Sequence, residues 1–281
     1  MKITTLKKLN LSLLNILQFS LWVVIFLIYL LSVKPSDTVV FFNIGQGDAI
    51  LIQEGDIQLL VDGGNGREIL YELPKYMPFY DRHIEYILLT HPHDDHLVGL
   101  LNVVQRYSVG EILYYPVCYN NPNYKTLISG NTKERTISAG DAISLNTLKI
   151  NILWPRAGEL TEQNCFKSFD GNINNDSVVL EFEFLNKNFL LMADAEKKVE
   201  DILVTENILT KKYDILKAGH HCSKTSSSET FLKAISPKYA ICSSGEGNKF
   251  GHPSSETLQN FSNLSVQYLI TYEEGNIQIK Q

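Results

Sequence analysis

None of the four cysteines in this 281-residue chain, Cys118, Cys165, Cys222 and Cys242, stands in a C-x-x-C pair. That spacing announces neither a thiolate zinc site nor a disulfide framework; in an oxidising compartment two of them could pair, and the sequence does not say which. Cys222, directly after two histidines, reads as a small buried residue. Positive charge is short as well, with 25 Lys and Arg against 31 Asp and Glu, a net −6. A generally basic, nucleic-acid-coating surface is therefore excluded, and any polyanion site must be local. No repeat of short fixed period runs through the chain, which excludes a repeat architecture. What remains, 44% apolar and 20% charged residues, is the balance of an ordinary globular protein.

The first 36 residues differ in kind. Lys2, Lys7 and Lys8 precede a mostly Leu, Ile, Val, Phe and Trp stretch, residues 11–33, closed by Lys34 and Pro35. A run of about 20 apolar residues spans a bilayer as a helix, although Asn15 and Gln18 dilute this one. The lysine imbalance predicts the N-terminus inside and the remainder, residues 37–281, outside: a cell-membrane protein with one transmembrane helix and an extracytoplasmic domain. A cleaved signal peptide and a buried core helix compete; the first lacks a small-x-small cleavage motif near residues 32–36, and the second would show a polar face.

Between Thr90 and Leu97 the chain reads T-H-P-H-D-D-H-L, so His91, His93, Asp95 and His96 form an H-x-H-x-D-H array. Imidazole and carboxylate suit zinc and similar divalent ions. Two histidines spaced by one residue can close on one ion while Asp-His reaches a second, so the spacing points to a two-metal hydrolytic centre.

Residues 37–43, 48–53 and 57–62 are apolar or β-branched runs parted by glycines, an antiparallel meander. A helix over 67–76 and a buried strand over 84–89 follow, the strand delivering the array to its end, with a further helix over 97–107. Strands are expected at 111–115, 142–145, 147–154, 177–184, 188–192, 213–217, 238–243, 266–271 and 276–280. Helices are expected at 195–204, 229–234 and 254–261. Two such meanders flanked by helices predict an α/β fold, an αββα sandwich of two packed mixed sheets with helices outside, in one domain over 37–281. The Asn-rich stretches 119–136 and 158–175 read as loops, either substrate walls or tolerated insertions.

Other ionisable residues end strands. Asp194 could bridge two ions or cap a helix. His220 and His221 point to opposite sides if extended, so one is expected to face the ions. His252 is a weaker candidate, and Asp48 and Asp62, in Gly-rich turns, read as supporting or turn residues.

The ordered strings NIGQGDAILI (43–52), LLVDGG (59–64), LTHPHDDHLVGL (89–100), NDSVVL (175–180), ADAE (193–196), DILKAGHHCSKTS (214–226) and GHPSSETL (251–258) resemble the metallo-β-lactamase fold superfamily. Within it they resemble the hydrolase domain of DNA-internalisation competence proteins. The resemblance implies two divalent ions, zinc or manganese, and hydrolysis, most often of a DNA phosphodiester. It assigns His91 and His93 to one ion, Asp95, His96 and His220 to the other, and Asp194 to the bridge. The ions would supply hydroxide near neutral pH, with Asp95 also counted among the catalytic groups. His221 or His252 would protonate the leaving oxygen, and Asn175, Ser177, Ser223 and Lys224 would contact substrate. The chain departs from the pattern in four ways: no His lies between His96 and Asp194, Asn43 stands for the usual Asp, and Ala193 and Cys222 stand for usual glycines. Hydrolysis of another ester, amide or thioester, or a non-catalytic binding module, are the alternatives.

Overall fold

The structure, a computed structural model, describes residues 2–32, 35–158, 161 and 163–280, with side chains over 13–28 and from 35 onward. It divides into two compact units, residues 1–35 and 36–281. The first is a single helix, α1 (Lys2–Ser32). Among the described residues no helix is long and apolar enough to cross a membrane, so the expected single span is not shown. The ends of the expected span fall outside the described side chains.

In the second unit two seven-stranded sheets account for the strands. The first holds β1 (Thr38–Phe41), β2 (Ile50–Glu54), β3 (Ile57–Val61), β4 (His83–Leu89), β5 (Ser108–Tyr114), β6 (Glu134–Thr136) and the C-terminal β14 (Ile277–Lys280), in the order β14-β1-β2-β3-β4-β5-β6. The second holds β7 (Ala142–Ser144), β8 (Lys149–Trp154), β9 (Val179–Phe184), β10 (Lys187–Leu191), β11 (Ile215–Lys217), β12 (Tyr239–Cys242) and β13 (Gln267–Ile270), in the reverse sense from β13 to β7. Both sheets are mixed: β1 to β3 and β7 to β10 pair antiparallel, whereas β3 to β6 and β10 to β13 pair parallel.

The period of two in the strands separates three cores. Val39, Phe41, Ile50, Ile52, Leu59 and Val61 face Ile150, Leu180, Phe182, Phe189 and Ile241 between the sheets. Their neighbours Val40, Leu51 and Leu60 turn to the other face. There they pack under α2 (Ile69–Glu72), α3 (Asp94–Val104) and α4 (Pro122–Ile128) through Ile69, Leu97, Leu100 and Leu127. On the far face of the second sheet, Leu190, Leu216 and Ala240 meet α5 (Lys197–Thr205), α6 (Glu229–Ile235) and α7 (Ser255–Asn263) through Val199, Phe231 and Phe261. This is the expected αββα arrangement. A short α8 (Thr271–Glu274) links the last two strands.

Residues 119–136 are not the structureless loop expected. Asn121 caps α4 by accepting from the Asn123 and Tyr124 amides, Pro122 takes the first helical position, and β6 closes the segment. The N-P pair is a helix-start signal. The cysteines are also corrected: Cys118 pairs with Cys165 and Cys222 with Cys242. The partners lie 47 and 20 residues apart and are brought together only by the fold.

Beneath the second sheet, Glu200 of α5 is fully buried and accepts from the Ser227 and Ser228 amides. Burial pushes its carboxyl up to about 7. The folded state therefore holds a proton that the unfolded chain releases near pH 4.5, and stability falls as pH rises between those values, by about 3 kcal/mol if the full shift is realised. We expect Glu200→Gln to flatten that decline in denaturant melts at pH 5 and pH 8; an unchanged slope would place the proton elsewhere.

Candidate metal centre

The centre lies where strands of both sheets end. Buried β4 runs into Thr90, and Pro92 and an extended His93 (φ −78°, ψ 148°) then turn the chain into α3, so that His91, His93, Asp95 and His96 occupy a loop and the first helical turn. The glycine-rich turns expected after β1 and β3 seat that turn: Asp48 N–H donates to the Asp95 carbonyl and Gly63 N–H to the His96 carbonyl. A Cβ at Gly47 (φ +129°) would collide with the Asp95 carbonyl. The second sheet supplies Asp194, three residues past β10, and the histidine pair after β11.

Two donor sets result. His91 Nε2 stands 3.1 Å from His93 Nδ1 and 3.7 Å from Asp194 Oδ2. On the other side, Asp194 Oδ1 is 3.3 Å from His96 Nε2 and 3.4 Å from His221 Nε2, and His221 Nε2 is 3.4 Å from Asp95 Oδ2. In each group, His91–His93–Asp194 and Asp95–His96–His221, the donor atoms all lie within 4.8 Å of one another. Tetrahedral zinc at 2.0–2.1 Å from its ligands separates them by about 3.3–3.4 Å, which matches most of these spacings.

The far nitrogens of the rings are already committed. His96 Nδ1 meets Asp62 at 2.8 Å, and Asp62 is held in turn by the Thr90 amide and hydroxyl. His221 Nδ1 meets the Ser243 carbonyl at 2.9 Å. Such partners fix tautomer and ring orientation and leave Nε2 free for a cation. His96 Nε2, His221 Nε2 and Asp194 Oδ1 are correspondingly buried without a hydrogen-bond partner, an arrangement that costs free energy unless an ion completes it. Asp62→Asn keeps the shape but removes the negative acceptor; we expect roughly 10- to 100-fold weaker metal affinity, read by competition with a chromogenic chelator.

The charges point the same way. Burial favours neutral rings, yet the Asp194, Asp62 and Asp48 carboxylates hold His96 and His221 well above the usual imidazole range. His91, further from that negative charge, is driven well below it by burial. Burial alone would raise Asp194, but His221 and His96 carry it well below the ordinary carboxylate value. Left to its own side chains, the cluster draws protons because its carboxylates need positive charge; divalent cations satisfy the same need and leave the imidazoles neutral.

The assignment of the histidine pair is corrected. His221, not His220, joins Asp95 and His96 in the second donor set, because both residues adopt left-handed backbone (φ 45° and 55°) instead of the extended form assumed from sequence. His220 stands at the mouth, its Nε2 4.0 Å from Asp194 Oδ2 and its Nδ1 3.1 Å from both Glu196 and Thr225. His252 lies beside it with ring centroids 5.2 Å apart. Burial and the neighbouring imidazoles push His252 down to about 4, which disfavours the charged ring that a proton donor at neutral pH needs.

Three of the expected substrate contacts are buried and hydrogen-bonded within the protein. Asn175 is buried, accepting from the Glu196 amide and donating to Asp170. Ser177 is buried and accepts from the Asp194 amide, and buried Ser223 accepts from Thr225. Lys224 alone is exposed. Asp194 does not cap α5, whose N-cap is Glu196. The residues replacing family glycines, Ala193 and Cys222, both sit at positive φ (46° and 61°), where a side chain costs roughly 1 kcal/mol; the Cys222–Cys242 bond ties the second of these turns to β12.

Sequence reasoning missed two supports. Lys217, fully buried, pairs with Asp48 at 2.7 Å; burial would raise Asp48, but Lys217 and then His221 bring it to about 2. Glu196 orients His220. A lysine inside an apolar strand, just before the histidine pair, was the available signal for the first; the second had none.

Residues 43–246 match the metallo-beta-lactamase superfamily. The chain is 26% identical over 286 residues to ComE operon protein 3 of Bacillus subtilis, covering 92% of this chain and 35% of that protein. It is 29% identical to Recombination protein 2 of Haemophilus influenzae over 88% and 30%, and 27% identical to competence protein ComA of Neisseria gonorrhoeae over 85% and 32%. It thus spans about a third of the length of these relatives. Among solved structures it is similar in fold to the metallo-beta-lactamase fold protein YhfI of Bacillus subtilis (11% identity, TM-score 0.55, 86% and 99% covered). It is similar too to CmlA, a diiron beta-hydroxylase from Streptomyces venezuelae (15%, 0.57, 88% and 55%).

Proposed function

This chain belongs to the metallo-beta-lactamase superfamily, and we propose that it is a two-metal phosphodiesterase acting on DNA outside the cytoplasm, tethered by its N-terminal helix. The observation that carries the reading is Asp194, with one oxygen toward His91 and the other toward His96 and His221. That placement suits one carboxylate shared by two cations. The likeness to competence and recombination proteins supports DNA as substrate. The two disulfides support an oxidising compartment.

Zinc or manganese in such a site lowers the pKa of water toward neutrality and offsets phosphate charge. The chain's own residues do the rest. His91, His93 and Asp194 would hold one ion, and Asp95, His96 and His221 the other, with Asp194 shared. Asp62, Ser243 and the Asp48–Lys217 pair keep the donors aimed. His220, held by Glu196 beside Asp194, is the group placed to pass a proton to the leaving oxygen, and exposed Lys224 the one left to meet a phosphate.

The test is the full chain in detergent, loaded with zinc or manganese, analysed for metal and offered single-stranded DNA, a nitrophenyl phosphodiester, a β-lactam and a thioester. We expect about two ions per chain and chelator-sensitive cleavage of the phosphodiesters. One ion or none, or cleavage confined to the β-lactam or thioester, would overturn the proposal.

A further inference from the structure

The two stretches singled out as substrate walls or insertions, 119–136 and 158–175, form one wall at their described residues. The Cys118–Cys165 disulfide joins them. Backbone bonds from Cys118 N–H to the Phe166 carbonyl and from Phe166 N–H to the Pro116 carbonyl reinforce the joint. A second contact ties this wall to the metal-ligand loop: Asn121 Nδ2 donates to the Pro92 carbonyl. The wall encloses a cavity of about 550 Å³. Among the described residues its lining is largely aromatic and apolar, from Val117, Tyr119, Tyr124 and Ile128, with the amides of Asn120, Gln163 and Asn164 and the ammonium of Lys125 beside them. Tyr119 connects it to the centre, its ring standing edge-on to His93 with centroids 5.7 Å apart.

We infer that this cavity is a nucleobase subsite, receiving the base next to the phosphodiester held at the centre. An aromatic lining with amide donors and acceptors beside it is what a planar heterocycle with a polar rim requires. The ammonium of Lys125 in the same lining suits an occupant that brings a phosphate. The adjacency to His93 makes the occupant part of the substrate rather than a remote effector. Because the walls are cross-linked, the site is formed before substrate arrives, and little ordering is lost on binding.

The inference rests on the phosphodiesterase reading, so the experiment separates the two. The metal-loaded full chain is given thymidine 5′-(4-nitrophenyl phosphate) and methyl 4-nitrophenyl phosphate, which differ in the nucleoside. Equilibrium binding of thymidine monophosphate is measured alongside. We expect the nucleoside ester to be preferred in kcat/KM. Tyr119→Ala should collapse that preference toward one and weaken nucleotide binding on the order of tenfold or more, whereas Tyr119→Phe keeps both. Preference and binding untouched by Tyr119→Ala would overturn the subsite while leaving the hydrolase intact. Nucleotide binding that depends on Tyr119 without hydrolysis of either ester would keep the subsite and overturn the hydrolase.

Discussion

We expect Asp194→Ala to lower phosphodiester turnover by at least about a thousandfold and to cut bound metal from two ions to one or none, with the far-UV spectrum unchanged. The size follows from the position. Each oxygen of this carboxylate faces a different donor set, so one truncation opens both, and the groups that act as a unit fail together. The fold survives because Asp194 sits past the end of β10 and its side chain supports no helix cap. A variant that kept both ions and its activity would show that the bridge lies elsewhere.

The second large effect is a split between neighbours. His221→Ala should remove the ion shared with Asp95 and His96, lowering metal content and turnover together, about a hundredfold or more in the latter. His220→Ala should leave the metal content intact yet cost 10²- to 10⁴-fold in kcat, the range of a lost proton-transfer group. It should also remove one limb of the pH–rate profile, since Glu196 holds that ring beside Asp194. Metal analysis beside a pH profile for each variant reads both. If the His220 variant lost metal and the His221 variant kept it, the geometry assigned here would be reversed.

The layers of the fold were legible in the sequence because alternation was. Val39 and Phe41 against Val40 and Phe42 specify opposite faces of β1 before any coordinates exist. The H-x-H-x-D-H array was legible because its ligands are local: one loop and one helical turn carry all four. What sequence could not supply is whatever depends on backbone sign or distant pairing. Nothing local shows that His220 and His221 both take positive φ, and that alone decides which ring reaches Asp95. Nothing local pairs Cys118 with Cys165, or turns Asn175 and Ser177 inward to brace Glu196 and Asp194. The helix at Pro122–Ile128 is signalled locally by Asn121-Pro122, but its polar composition reads as a loop.

Each donor set borrows from both sheets: His91 and His93 follow β4, His96 opens α3, while Asp194 and His221 arrive from the ends of β10 and β11. An ion held in either set would therefore tie the two sheets together across their inner seam. Its affinity would add to the cohesion of the whole body, growing with the logarithm of free metal above its dissociation constant. Where metal is scarce, the seam is where opening and proteolysis should begin.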